Sequence, residues 1–598
     1  MLLSTFLAAS VLLGQLKANI NEITLQTVSD PELIETYLVA SDHGYENGSD
    51  MRELFLKVPI DEKELSELIE LQNEDGSFKD VDYDDQHRGA WPPGIHGFRV
   101  QRLAIHYKQT SNKQALDAAL KAMRFWFERK PVCPNWWHNE IGIPRLMGPA
   151  FLLLEDEMSP SDLEGAIYVM GKARIRMTGQ NKIWLSGNVL IRGLLENDEA
   201  LVREARDTIA AGIRISDDYE GLQKDWSFHQ HGPQLQFGNY GLSYATSLSY
   251  WARAFEGTEF AFDADRIAVL RGYLENGLTK VVWRGWFDHN ACGRQVFLNA
   301  QMGKALCALD AARNLGVEPN EKRGAVYYPT SDFGIFRGRG WYASIRMQSL
   351  HTKGYETTNS ENMRGYFSAD GALLVRRAGD EYNNVSPVWN WRHVPGTTTW
   401  DDGTDIYCGK DIPDHNGTYY NLTEKVGGIV KGRTMTVWMD YNRDSLTAHK
   451  AWVFLKDCIV CVGAGITRQG SAKVATTVNQ CLLHGKIEAG SNWVSHDGIT
   501  YVILDGSAYT LNNGPHTGSW RPISPTYSEE PVTVDLFEMY LDHGVSPENA
   551  SYAYVIAPSG PQGEKAAKRL SRRIRIVENT PERQIIRVGL RKFVLNWN

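Results

Sequence analysis

The chain reads as two structural classes in series, α then β, helices first and antiparallel sheet second, on three observations. At 598 residues it is too long for one hydrophobic core, because single cores stop growing near about 250 to 300 residues. From about residue 60 to 315 apolar residues recur at three- and four-residue spacing, the period of a helix with one buried face. Beyond about residue 325 that period gives way to short β-branched and aromatic runs separated by Gly, Asn and Pro, the pattern of antiparallel strands.

The elements follow in order. "MLLSTFLAASVLLGQLKA" is apolar from Leu2 to Leu13 and then turns polar and small, which reads as a secretory signal over residues 1–18 and predicts an extracellular, secreted protein. The run is too short to span a bilayer, and no later stretch reaches 18 apolar residues, so no membrane partner is expected. "DEKELSELIELQ", "NKQALDAALKAMRFWFERK", "PSDLEGAIYVMGKARI", "NDEALVREARDTIAAGI", "GLSYATSLSYWARAF" and "DADRIAVLRGYLENGLTKVV" are amphipathic helices, several opened by Asp, Ser or Asn at a capping position. Helix pairs of this kind pack as a bundle, a solenoid or a closed toroid, and periodicity does not choose among them. "GALLVRRA", "TMTVWMDY", "AWVFLKDCIVCVGAGI", "YVILDG", "TVDLFEMYLDHG" and "SYAYVIAPS" are strands. The expected division is therefore 19–325 helical and 326–598 antiparallel sheet.

Composition narrows the function. Hydrophobic residues make up 42% and charged residues 23%, an ordinary globular balance. A net charge of −9 argues against nucleic acid and requires that any anionic polymer meet a local basic patch. Seven cysteines are too few for a disulfide scaffold, and the CxxC of Cys458 and Cys461 lies in a strand where positions i and i+3 face opposite sides, so these are expected to be structural thiols. Sequons at Asn47, Asn384, Asn416, Asn421 and Asn549 fit passage through a glycosylating pathway. The acidic run "DVDYDD" reads as a solvated loop in preference to a calcium site; no cofactor is expected, and a monomer is expected.

The loops of the helical half hold the unusual residues. "CPNWWHNEIGIPRLMG" carries Trp136 and Trp137, "TGQNKIW" carries Asn181, "DWSFHQHGPQLQFGNYG" carries His229, His231 and Tyr240, and "RGWFDHNACGRQV" carries Arg294. The His-x-His pair has no third ligand nearby, so a metal site is not expected. A glycoside hydrolase needs two carboxyl groups about 5 to 9.5 Å apart, and the His-rich stretch offers Asp225 alone.

Together and in this order, "NWWHNEIGIPR", "TGQNK", "DWSFHQH" with "GNYG", the "GR" at 293–294, "NSENMRGYFSADG", "WRHVPGTTT" and "HGVSPENASYAYVIAP" resemble polysaccharide lyase family 8, the hyaluronate, chondroitin, xanthan and mannuronate lyases. The resemblance runs from about residue 60 to 560. It implies an incomplete α/α toroid followed by antiparallel β-sandwich sheets, and β-elimination at a uronic acid of an anionic polysaccharide. It implies catalytic roles for Asn181 as the group that neutralises the substrate carboxylate, for His231 and Tyr240 as the proton-transfer pair, for Arg294 as the cation that helps ionise Tyr240, and for Glu361 as the residue that orients Arg294. Trp136 and Trp137 match the family's sugar-positioning aromatics, with His229, Asn359 and Asn362 as further substrate contacts. Leu298 stands where glycosaminoglycan-cleaving members commonly carry a second arginine, and Trp226 and His229 also depart from their pattern. These departures point to β-1,4-mannuronan (alginate) as the substrate, with a glycosaminoglycan lyase as the alternative and a non-catalytic carbohydrate-binding protein as the third.

Overall fold

The computed structural model describes residues 2–41, 49–89, 91–319, 321–406 and 421–597, with the side chains of 2–10 and 49–51 outside that description. Its chain divides into two compact units. Unit 1 comprises 1–222, 240–279 and 298–319; unit 2 comprises 223–239, 280–297 and 320–598.

Unit 1 is built of antiparallel helix pairs. Gly94–Thr110 packs on Lys113–Arg129, Gly179–Glu196 on Glu199–Ala211, and Leu242–Phe255 on Ala300–Asn314. Side-chain caps fix where several begin: Asp61 accepts from Glu64 N, Asn112 from Gln114 N and Ala115 N, and Asp263 from Arg266 N, while Ser159 and Asp162 form a reciprocal capping box. Gly94–Thr110 and Gly179–Glu196 are buried on nearly every face, so they form the inner layer of the unit.

The N-terminal segment departs from the expected division. Leu2–Leu25 is one continuous helix that runs through residue 18, and it packs on Leu242–Phe255 and Ile143–Leu153. Leu13, Leu16 and Ile20 are buried, Lys17 pairs with Glu155 at 2.7 Å, and Asn19 Nδ2 donates to Ala254 O. The end of the run that reads as a leader and the residues after it, Leu13, Leu16 and Ile20, thus supply one face of a packed helix.

Unit 2 is built mainly of antiparallel sheet. An eight-stranded sheet runs in the spatial order Val426–Lys431, Thr434–Arg443, Leu446–Phe454, Ile459–Arg468, Ala550–Ala557, Ile499–Ile503, Trp493–His496 and Glu488–Ala489. A second sheet centres on Val532–Val545 paired with Lys473–Leu482, and a four-stranded meander spans Gly324–Tyr328, Phe333–Arg337, Tyr342–Arg346 and Ala372–Arg376. Val453, Val460, Val462, Ala553 and Val555 join Leu570 of the helix Gly563–Arg573 in one buried cluster. Cys458 belongs to that cluster, and burial pushes its thiol up to about 12, which makes it inert as a nucleophile.

Two corrections to the linear division concern function directly. Residues 223–239 and 280–297, read from sequence as loops of the helical half, belong to unit 2. Asp225 accepts from Ser227 N and Oγ and from Thr330 N and Oγ1, Ser331 Oγ donates to Ser227 Oγ, and Lys353 N donates to Pro233 O. In the second segment Asn290 Nδ2 donates to Ser344 Oγ and Ala372 O, and Tyr342 OH donates to Asp288 Oδ2. Of the sequons, Asn421 is fully buried with its Nδ2 donating to Asp440 O, so it is not a glycan acceptor in the folded chain, and Asn549 is exposed. Asn47 and Asn416 lie outside the described residues.

Candidate active site

In unit 2 the site is a charge network around a carboxylate that sequence reading missed. Glu356 is buried, 3% exposed, and gathers four donors. His231 Nδ1 lies 2.7 Å from its Oε2, Arg294 Nη1 donates to Oε1, Gln236 Nε2 donates to Oε1 at 2.8 Å, and Thr358 Oγ1 donates to Oε2 at 3.1 Å. Burial by itself would raise the Glu356 carboxyl, but Arg294 and His231 outweigh it and hold the group well below the usual carboxylate range. The acid is therefore ionised, and as it can only accept, His231 donates to it from Nδ1.

Arg294 is held from two sides. Its Nε donates to Glu361 Oε2 at 2.7 Å while Nη1 holds Glu356, and its side chain is 5% exposed. Glu361 orients Arg294, but the guanidinium is matched against two carboxylates, so its positive charge is already offset inside the cluster. Through these two contacts Arg294 fixes the place of Glu356. Gly293 beside it has φ +70°, and a Cβ there would stand 3.0 Å from Gln236 Oε1, so glycine suits both the backbone and the space left by Gln236.

The other two candidates of this unit separate. Asn359 is exposed and held at φ 61°, whereas Asn362 is buried at φ 57°. His229 is buried with Nε2 2.7 Å from Ser331 Oγ, a contact that braces the segment.

Unit 1 contributes an aromatic row. Trp137 meets Trp184 edge to face at 5.5 Å, and Trp184 lies 6.2 Å from the ring of Tyr240. Trp184 shares the helix Gly179–Glu196 with Asn181, one turn earlier, so the two project from neighbouring positions. Asn181 sits in the first turn of that helix, and its Oδ1 is buried without a hydrogen-bond partner among the described residues. A helix N-terminus with an amide in its first turn is suited to a carboxylate. Two π-helical turns present the key side chains: His138–Gly142 follows the Trp pair, and Phe237–Gly241 carries Tyr240. The first is pinned by Asn188 Nδ2, which donates to Glu140 O and Ile141 O. A Cβ on Gly142 would stand 2.9 Å from the Trp137 ring, which accounts for glycine there. Trp136 is half-buried and lies under the Arg176 guanidinium, 4.6 Å from its ring centroid.

Within unit 2, then, His231 is braced by the buried Glu356 and Asp225 is committed to holding a loop. Residues 36–317 match the polysaccharide lyase family 8 N terminal alpha-helical domain and residues 323–569 match its super-sandwich domain. The chain belongs to polysaccharide lyase family 8, and it is a carbon–oxygen lyase acting on polysaccharide. It is 29% identical to the chondroitinase-AC of Pedobacter heparinus, over 88% of this chain and 81% of that protein, and 26% identical to the hyaluronate lyase of Thermasporomyces composti, over 84% and 76%. A solved chondroitinase AC lyase superposes with a TM-score of 0.80 at 25% identity, covering 97% of this chain and 87% of that one.

Proposed function

We propose that the chain cleaves a 4-linked uronate polysaccharide by syn β-elimination, with Tyr240 as the proton-transfer residue. The C5 proton is removed, the electrons form the C4=C5 bond, the C4–O4 bond breaks, and O4 receives a proton. Asn181 donates from its amide to the C6 carboxylate, where negative charge accumulates as C5 is deprotonated. In glucuronate and mannuronate the C5 hydrogen and O4 share one face, so a single phenol oxygen takes the first proton and delivers it to the second atom. Ionising a phenol of pKa about 10 at neutrality costs about 4 kcal/mol. A histidine braced by an ionised carboxylate, as His231 is by Glu356, is equipped to accept a proton, in the manner of a catalytic histidine backed by an aspartate. The single observation that carries this reading is the ionised Glu356 at 2.7 Å from His231 Nδ1.

The substrate class favoured by the relatives is a glucuronate-containing glycosaminoglycan of the chondroitin or hyaluronan kind, since a chondroitinase and a hyaluronate lyase align over most of this chain. A second reading, β-1,4-mannuronan, is favoured by Leu298 in place of an arginine, and mannuronate differs from glucuronate at C2 alone, so the same residues serve. Guluronate, the C5 epimer, is excluded by a single-face mechanism. An extracellular location accords with such a polymer, and no described helix is long and apolar enough to cross a membrane. Incubation with each polymer, followed by ultraviolet absorbance of the unsaturated product, tests the reading. Activity on none of the 4-linked glucuronate or mannuronate polymers would overturn it.

A further inference from the structure

Unit 1 carries a second concavity that the elimination does not use. It is about 630 Å³ in volume, within the range of about 300 to 1,000 Å³ typical of ligand sites, and is lined in part by Lys130, Glu140, Tyr168, Lys172, Arg174 and Arg176. Four of these are cations in a chain of net charge −9. Glu140 is already engaged by Arg176, whose Nη2 donates to both carboxylate oxygens at 2.7 and 2.8 Å. Lys130, Lys172 and Arg174 are exposed and pair with no carboxylate among the described residues.

The arrangement concentrates like charge. Lys130 Nζ and Lys172 Nζ stand 4.6 and 4.2 Å from the centroid of the same ring, Tyr168, which is 42% exposed, and Lys172 also donates to the Tyr168 hydroxyl at 2.8 Å. Two ammonium groups gathered on one ring repel each other, and an anion between them relieves the repulsion. Lys130 is moreover placed at φ 50° at the end of the helix Lys113–Arg129, a left-handed position that glycine fills more easily. Arg176 also covers the face of Trp136, the neighbour in sequence of the Trp137 that begins the aromatic row.

We propose that this basic groove is an outer subsite for the anionic polysaccharide, holding carboxylate or sulfate groups of sugar units beyond those that meet the Trp pair. The inference rests on the polymer being a polyanion and is independent of which residue moves the proton. It makes the enzyme tighter on long chains than on short ones, and makes that advantage salt-sensitive, since exposed charges are screened beyond about 8 Å at physiological ionic strength.

The test is direct binding in a Tyr240→Phe background, where turnover is slowed, by calorimetric titration with long chondroitin sulfate, long hyaluronan and a chondroitin tetrasaccharide. The second protein adds Lys130→Ala, Lys172→Ala and Arg174→Ala, three exposed positions outside the catalytic network. The groove predicts an affinity for long chains lower by about five- to tenfold in the triple variant, with tetrasaccharide affinity within about twofold. Loss confined to chondroitin sulfate assigns the groove to sulfate, and loss on hyaluronan as well assigns it to carboxylate. Equal affinities in both proteins, or equal losses on long and short chains, overturn the proposal. Because binding is read without turnover, a protein that cleaves none of these polymers would refute the elimination while leaving the groove measurable.

Discussion

Glu356 Oε2 lies 2.7 Å from His231 Nδ1, and the same carboxylate holds Arg294 through its other oxygen. One buried acid therefore fixes both the tautomer of the histidine and the position of the arginine. Everything proposed for proton transfer depends on that acid remaining ionised.

Replacing it with the isosteric amide separates its charge from its shape. Glu356→Gln removes one of the two carboxylates that hold the buried Arg294, so a loss of about 3 to 5 kcal/mol of stability is expected by urea unfolding at pH 7. The carboxyl is held below its ordinary value, so its stabilisation is complete above about pH 4.3 and lost as the pH falls through the lower native value. The wild type should then lose stability more steeply than the variant on acidification below about pH 4. Parallel acid profiles would show that Glu356 is not the ionised member of the network.

Asn181→Asp keeps the side-chain outline and puts a negative charge where the substrate carboxylate is to be bound. Loss of one preorganised donor to developing charge costs about 100- to 1,000-fold, so kcat/KM should fall by at least that much while the melting temperature stays close to wild type. Retained activity would remove Asn181 from the account.

The N-terminal helix makes a stability prediction of its own. Leu16 is fully buried in unit 1, so Leu16→Ala should cost about 2 to 5 kcal/mol, and a chain beginning at residue 19 should be less stable still, because Lys17 and its Glu155 partner are separated as well. Differential scanning calorimetry of the three proteins reads this directly. Identical unfolding profiles would mean that residues before 19 add nothing to the fold.

How far the sequence reached is clear from individual residues. The order of classes was legible because a three-and-four period and a two-residue period are strong signals over many turns. Tyr240, His231, Arg294 and Asn181 stood out because the motifs that carry them occur together in the order of polysaccharide lyase family 8; singly each reads as an ordinary cap, core or surface residue. Glu356 did not, since an acid five positions before Glu361 in a Thr- and Asn-rich loop looks solvated until the fold buries it against Arg294. The burial of His229 against Ser331 was not legible either, because the motif that it shares with His231 gives no sign of a partner about a hundred positions away. The division at 325 missed that 223–239 and 280–297 belong to the sheet unit, because contacts between distant segments leave no periodic trace.

The central claim is elimination by Tyr240 at a single face of the sugar. The most direct measurement is ultraviolet absorbance from the new C4=C5 bond, for wild type and Tyr240→Phe, on chondroitin sulfate, hyaluronan, polymannuronate and polyguluronate. The account predicts a rise with a glucuronate or mannuronate polymer, none with polyguluronate, and a fall of kcat by about 100- to 10,000-fold in Tyr240→Phe with KM little changed. Reducing ends released without absorbance, or full turnover by Tyr240→Phe, would contradict it.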